Sequence, residues 1–74
     1  EENLLVAEQK QILAKAIKRL TEREQLILSL YYQEEATLKE IAAVLDISIA
    51  RVSQLHGKAI AKLRADIQKE LEND

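Results

Sequence analysis

The chain of 74 residues contains no cysteine, proline, methionine, phenylalanine or tryptophan, and its only glycine and histidine are Gly57 and His56. Without cysteine there can be no disulfide, no thiol nucleophile and no zinc finger, which is compatible with a cytoplasmic, reducing environment. Because Tyr31 and Tyr32 are the only residues of the phenylalanine, tyrosine and tryptophan group, aliphatic side chains must fill the core.

Long apolar runs are also missing, and no stretch approaches the ~20 residues of a membrane-spanning helix. No signal peptide or basic targeting arm is visible at the start. A chain of this length forms one domain, residues 1–74, with a small core. Because the helical pattern begins at once, we expect the domain to be part of a longer protein, without a membrane partner.

Catalytic groupings are absent as well. His56 has no second nitrogen or thiol ligand to accompany it, so its expected role is packing or a phosphate contact. Glu34 and Glu35 are adjacent carboxylates in an expected solvated connection. With no glycine-rich phosphate loop and no serine beside a histidine and an acid, the sequence predicts neither an enzyme nor a cofactor or metal site.

The apolar spacing predicts an all-α fold, a four- to five-helix bundle. The first helix spans residues 3–20, with an apolar stripe made of Leu5, Ile12, Leu13, Ala16, Ile17 and Leu20. Thr21-Glu-Arg-Glu24 is a capping box that opens a second helix, Glu22 to Gln33. Its expected inward residues are Leu26, Ile27, Leu30 and Tyr31.

Residues 37–64 have the pattern of a helix-turn-helix. Thr37-Leu-Lys-Glu40 is a second capping box, and Ser48 is a good N-cap for a last helix that continues to about Leu71. Small Ala42 falls where the two helices should cross. Asp46 falls where the turn needs a positive φ, which aspartate tolerates. Inward positions of the two helices are Leu38, Ile41, Ala42, Leu45, Ile47, Val52, Leu55 and Ala59.

Charge is concentrated on the last helix. Residues 1–46 carry a net charge of −3 and residues 66–74 another −3, whereas residues 47–65 carry +4 without any acid. The four cations are Arg51, Lys58, Lys62 and Arg64. Such a block can bind phosphates or simply solvate a helix face; its coincidence with the helix-turn-helix favours DNA binding.

Motifs at several places resemble one family. Leu20-Thr-Glu-Arg-Glu-Gln-Leu-Ile-Leu-Ser-Leu-Tyr-Tyr32, Thr37-Leu-Lys-Glu-Ile-Ala42 and Arg51-Val-Ser-Gln-Leu-His56 resemble the C-terminal domain of a bacterial sigma factor, most closely the flagellar class. The resemblance implies binding to the −35 promoter element and to the β flap of RNA polymerase core. It also implies capture by an anti-sigma protein, and we expect a monomer.

The resemblance also implies which residues bind DNA. Arg23 matches a DNA-contacting arginine, and Leu38 and Lys39 match a helix start that meets phosphates. The remaining expected contacts lie at the start of the last helix, the recognition helix of the helix-turn-helix: Ser48, Ile49, Ala50, Arg51, Ser53, Gln54 and Lys58. Gln54 suits an adenine edge, whereas Arg51 and Lys58 suit phosphate.

The sequence departs from the family pattern at two positions. Ile49 and Ala50 lie where primary sigma factors have charged residues that contact DNA bases. They either contact thymine methyl groups, or Ile49 packs on the turn.

Two other functions stay open. A LuxR-type response-regulator output domain shares the Thr-Glu-Arg-Glu start and would dimerise. A protein-interaction module would dock through apolar grooves and read no DNA.

Overall fold

The computed structural model describes residues 2–72, with side chains from Ala7 onward, and this part of the chain is helical without strands. Its four α-helices are α1 (Glu2–Lys18), α2 (Glu22–Leu28), α3 (Leu38–Leu45) and α4 (Ile49–Glu72). A π-helical turn, Ser29–Gln33, continues α2. The predicted all-α fold containing a helix-turn-helix is therefore confirmed.

Helix α1 packs against α4 through part of its apolar stripe. Ala16 and Leu20 are buried as predicted, but Leu13 is 43% exposed. The stripe is wider than its line of contact with α4, so Leu13 lies at the edge of a groove rather than in the core. The side chain of Leu5 lies outside the described residues.

Helix α2 begins as the sequence predicts, at a complete capping box. The Glu24 amide donates to Thr21 Oγ1 (3.1 Å), and the Thr21 amide donates to Glu24 Oε1 (3.0 Å). Ile27 and Leu28 are buried in the core.

The predicted inward positions of Leu26 and Tyr31 are wrong. Leu26 is 44% exposed, because the inner face of α2 is occupied by Glu24, Ile27 and Leu28, and Leu26 lies on the other side of the helix. Tyr31 follows the onset of the π-helical turn, which has more residues per turn than an α-helix and offsets the apolar stripe. Its ring is exposed at the surface.

Helices α3 and α4 form the helix-turn-helix around one core. Ile41 and Ala42 pack with Val52, Leu55 and Ile27 of α2, and all five are buried. The small side chain of Ala42, 5% exposed, fits the predicted crossing of the two helices. Leu38, Leu45 and Ile47 pack around this cluster, as expected.

The turn between these helices has the predicted left-handed residue. Asp46 has φ 56° and ψ 47°, and its amide donates to the last carbonyls of α3. Ile47 then donates its amide to the Ala42 carbonyl (3.1 Å) and directs its side chain to the core. The turn therefore fixes the direction in which α4 leaves α3.

Helix α4 is 24 residues long and sets the long dimension of a molecule measuring 43 × 21 × 15 Å. Its second half lies beside α1, where Arg19 pairs with Asp66 and Glu70 at 3.8 Å each. Gly57 lies on an exposed face, and an added Cβ would meet no atom within 4 Å. Gly57 therefore occupies an open position and not a close contact between helices.

Candidate nucleic-acid interface

The N-cap Ser48 and the first two residues of α4, Ile49 and Ala50, offer few side-chain hydrogen-bonding groups. Ser48 Oγ accepts the Arg51 amide at 3.0 Å, which confirms Ser48 as the N-cap. Ile49 is 49% exposed, and Ala50 is exposed as well. Ile49 is not part of either buried cluster of the described residues. The start of the helix therefore offers apolar surface to a partner.

The next two turns of α4 are polar on the outside. Arg51, Ser53, Gln54 and Lys58 are exposed, and the Arg51 guanidinium lies 3.5 Å from Gln54 Oε1. The opposite face of the same turns is buried and consists of Val52, Leu55 and Ala59. Because one face is anchored in the core, the other is held rigidly outward.

The start of α3 contributes backbone donors. Leu38 is half-buried, with its side chain packed against the core, whereas Lys39 is exposed. Their amides belong to the first turn of α3, where backbone N–H groups have no carbonyl acceptor within the helix. Glu40 Oε1 accepts the Thr37 amide at 2.8 Å, and this lowers the pKa of the Glu40 carboxyl. The carboxylate reduces the positive potential at this helix end.

The predicted cationic block divides into two kinds of residue. Arg51 and Lys58 are exposed on the anchored turns described above. Lys62 instead donates to Glu24 Oε1 at 3.0 Å, so its charge already has an internal partner. Arg64 lies further along, beside an apolar groove. Arg23 is exposed on a separate element, the first turn of α2. Phosphate binding by this block stays a prediction, and Arg51 and Lys58 are its members on the proposed DNA-binding turns.

Glu24 is a residue whose role the sequence did not reveal. Its side chain is 2% exposed, and it accepts from both the Thr21 amide and Lys62. The Thr21 hydrogen bond, assisted by Lys62, holds the pKa of the Glu24 carboxyl below its usual value despite its burial. The capping box was visible in the sequence, but the pairing with Lys62 spans 38 residues and had no local signal.

His56 belongs to an aromatic cluster with Tyr31 and Tyr32. Its Nε2 shares a hydrogen bond with the Tyr32 hydroxyl at 3.0 Å, and the ring centroids of Tyr31 and His56 are 4.9 Å apart. The two tyrosine rings meet edge-on at 4.8 Å. Of the two roles expected for His56, the structure therefore shows packing. This cluster connects the π-helical turn to α4 at His56.

Comparison with known proteins decides the family. The family description "Sigma-70, region 4" matches residues 16–65, which include the helix-turn-helix and both capping boxes. The chain belongs to the sigma-70 region 4 family. This assignment favours the sigma-factor resemblance over the LuxR-type alternative.

Relatives of this region 4 domain are flagellar sigma factors. It is 54% identical over 66 residues to RNA polymerase sigma factor FliA of Salmonella typhimurium, covering 89% of this chain. It is 60% identical over 53 residues to the FliA protein of Pseudomonas aeruginosa, covering 72% of this chain. It is 46% identical over 69 residues to the RNA polymerase sigma-D factor of Bacillus subtilis, covering 93% of this chain. The chain spans 28, 22 and 27% of these relatives' lengths, respectively. No solved structure matches the chain significantly.

A second surface of the region 4 domain is apolar. The groove between α1, α2 and α4, here called the α1–α4 groove, is lined by Leu13, Ile17, Leu28, Ile60 and Leu63 among others. Along α4 it continues past Ile67 to Leu71, which is 61% exposed. This groove is a candidate site for an apolar protein partner.

Other kinds of site find no support in the described part of the region 4 domain. Residues 2–72 contain no group of three or more histidine, cysteine, aspartate or glutamate side chains arranged to hold a metal ion. None of the described helices combines the length and apolar character needed to cross a membrane.

Proposed function

We propose that this domain binds the −35 promoter element as the C-terminal part of a sigma factor, with the start of α4 in the major groove. The supporting observation is the two-sided character of α4. Val52 and Leu55 anchor it in the helix-turn-helix core, while Arg51, Gln54 and Lys58 are exposed on its outside. A rigid helix with this arrangement is what major-groove recognition requires.

The exposed residues divide by chemistry. Arg51 and Lys58 bind backbone phosphates, as do Arg23, Lys39 and the first amides of α3. Gln54 forms paired hydrogen bonds with an adenine edge, and the Ser53 hydroxyl lies beside it on α4. The 3.5 Å contact from Arg51 to Gln54 Oε1 is long enough to yield when a base replaces it.

We also propose that the domain docks on the β flap of RNA polymerase core through the α1–α4 groove. The groove is apolar, and Leu13 at its edge is exposed in the isolated domain. The relatives are named RNA polymerase sigma factors, which supports a polymerase partner for the domain. An anti-sigma protein would compete for this domain. We propose that the domain is a monomer and acts with its polymerase in the cytoplasm.

The test of DNA binding is a fluorescence-anisotropy titration of the chain with an A·T-rich −35 duplex and a scrambled duplex of equal length. We expect tighter binding to the first, and Gln54→Ala should reduce the preference by about 1–3 kcal/mol while leaving binding to the scrambled duplex unchanged. Equal affinity of the unaltered chain for both duplexes would contradict the proposal.

A protein-interaction module that reads no DNA is the second candidate, and the exposed apolar α1–α4 groove favours it. The two candidates separate cleanly in variants. Leu13→Ser on the groove should weaken binding to polymerase core and leave duplex binding intact. For a pure interaction module, neither duplex binds and Gln54→Ala has no effect in either assay.

A further inference from the structure

The leading end of α4, from the Ser48 N-cap to Ala50, carries fewer polar side chains than the next turns of the proposed DNA-binding helix. Ser48 Oγ is engaged as an acceptor by the Arg51 amide at 3.0 Å, which leaves one hydroxyl hydrogen to donate. Adenine, guanine and thymine all offer acceptors in the major groove, so a single donor distinguishes them poorly. Polar discrimination by residues 48–50 is therefore weak.

Ile49 is the largest side chain among residues 48–50. It is 49% exposed, whereas Ile47, two residues earlier, packs against the core. The interpretation in which Ile49 only packs on the turn is thus disfavoured, since half of its surface faces solvent. Ala50 next to it adds a second exposed apolar group. Together they form a small apolar contact surface at the leading end of the helix.

In the major groove only one base edge matches such a surface. Thymine alone presents a methyl group there, at C5; the same position of cytosine carries only a hydrogen, and guanine and adenine present N7 with O6 or the N6 amino group. We infer that Ile49, supported by Ala50, is a specificity-determining residue that selects thymine by contact with its C5 methyl group. This inference rests on the proposed DNA binding and states what the leading turn of α4 reads.

The inference predicts the effect of removing one methyl group from DNA. First, a duplex that the 74-residue chain enriches from a randomised pool is taken as the probe. Each thymine is then replaced in turn by deoxyuridine, which lacks only the C5 methyl group. Burial of one such group corresponds to about 0.8 kcal/mol. We therefore expect a loss of affinity of about three- to fourfold at one or two thymines and no change at the others.

Variants connect that loss to Ile49. In Ile49→Ala, the thymine and deoxyuridine duplexes should bind equally. Val44→Ala is the matched control, because Val44 is a β-branched residue that is 68% exposed on α3, and it should keep the full ratio. Circular dichroism of both variants checks that the helices remain folded.

The outcomes distinguish a failure of thymine-methyl recognition from a failure of DNA binding. If the unaltered chain binds every deoxyuridine duplex as well as the parent duplex, or if Ile49→Ala keeps the ratio, the methyl-reading inference is wrong while DNA binding stands. If the chain enriches no sequence and binds no duplex, the proposed function fails and the inference with it.

Discussion

The Glu24 carboxylate and the Lys62 ammonium meet at 3.0 Å and connect the start of α2 to the middle of α4. Glu24 is 2% exposed, whereas the Lys62 side chain is 39% exposed, so the pair joins a buried acid to a partly hydrated base. The same Glu24 oxygen accepts the Thr21 amide. One carboxylate thus caps a helix and attaches it to the helix proposed to read DNA.

Removing Lys62 should weaken this connection. Lys62→Met keeps the length of the side chain but leaves Glu24 with only its capping hydrogen bonds. We expect the free energy of unfolding in urea to fall by about 1–2 kcal/mol, a value reduced for the hydration of Lys62. Lys58→Met, at an exposed site of the same helix, should change it by less than about 0.5 kcal/mol. Equal effects of the two substitutions would show that the ion pair does not stabilise the fold.

Acid should destabilise the domain through Glu24. Its pKa in the folded state is lowered from 4.5, first by the Thr21 amide and then by Lys62. The corresponding stability is complete above pH 4.5 and is lost as the pH falls through the folded-state pKa. Glu40 is shifted in the same direction by Thr37.

Urea unfolding between pH 7 and the acid range measures this effect. Glu24→Gln should be less stable than the unaltered chain at pH 7 and should lose less further stability below pH 4.5. Glu34→Gln, in the exposed connection, serves as the charge-matched control. If the free energy of unfolding fell equally steeply below pH 4.5 in Glu24→Gln and in the unaltered chain, Glu24 would not be the source of this acid sensitivity.

Local signals in the sequence predicted much of this architecture. Both capping boxes, the Ser48 cap and the left-handed Asp46 depend on residues within four positions of one another, and each was confirmed. The family resemblance, which spans several motifs, was confirmed too. The DNA contacts assigned to individual residues stay predictions.

What the sequence missed depends on distant packing. Burial of Glu24 requires Lys62 from another helix, and a charged residue on an inner face contradicts the usual apolar pattern. The π-helical turn at Ser29–Gln33 breaks the 3.6-residue period on which the inward position of Tyr31 was based. Leu26 was grouped with its apolar neighbours, although its place on α2 is on the far side.

Gly57 offers a test in which stability and binding should change in opposite directions. A Cβ there meets no atom within 4 Å, so Gly57→Ala should stabilise α4 by about 1 kcal/mol. If DNA lies close to this face, the added methyl group should reduce duplex affinity. Thermal unfolding and anisotropy titration on the same sample measure both. A more stable variant with unchanged affinity would show that the duplex does not approach Gly57.

The phosphate contacts predict a salt signature. Arg51→Ala and Lys58→Ala should each weaken binding to specific and scrambled duplexes alike. Each should also reduce the slope of log affinity against log salt by about one unit. Lys69→Ala, beside Asp66 and Glu70 on the same helix, should leave the slope unchanged. An Arg51→Ala variant with unaltered affinity and slope would remove Arg51 from the interface.

An NMR titration of the labelled chain with an A·T-rich −35 duplex and its scrambled control would show directly which residues form the DNA-binding surface. We expect the largest shifts specific to the −35 duplex on residues 48–58, with smaller shifts at Arg23 and Lys39. Shifts confined to the α1–α4 groove, or the same pattern with both duplexes and residues 48–58 unperturbed, would contradict the proposed DNA binding.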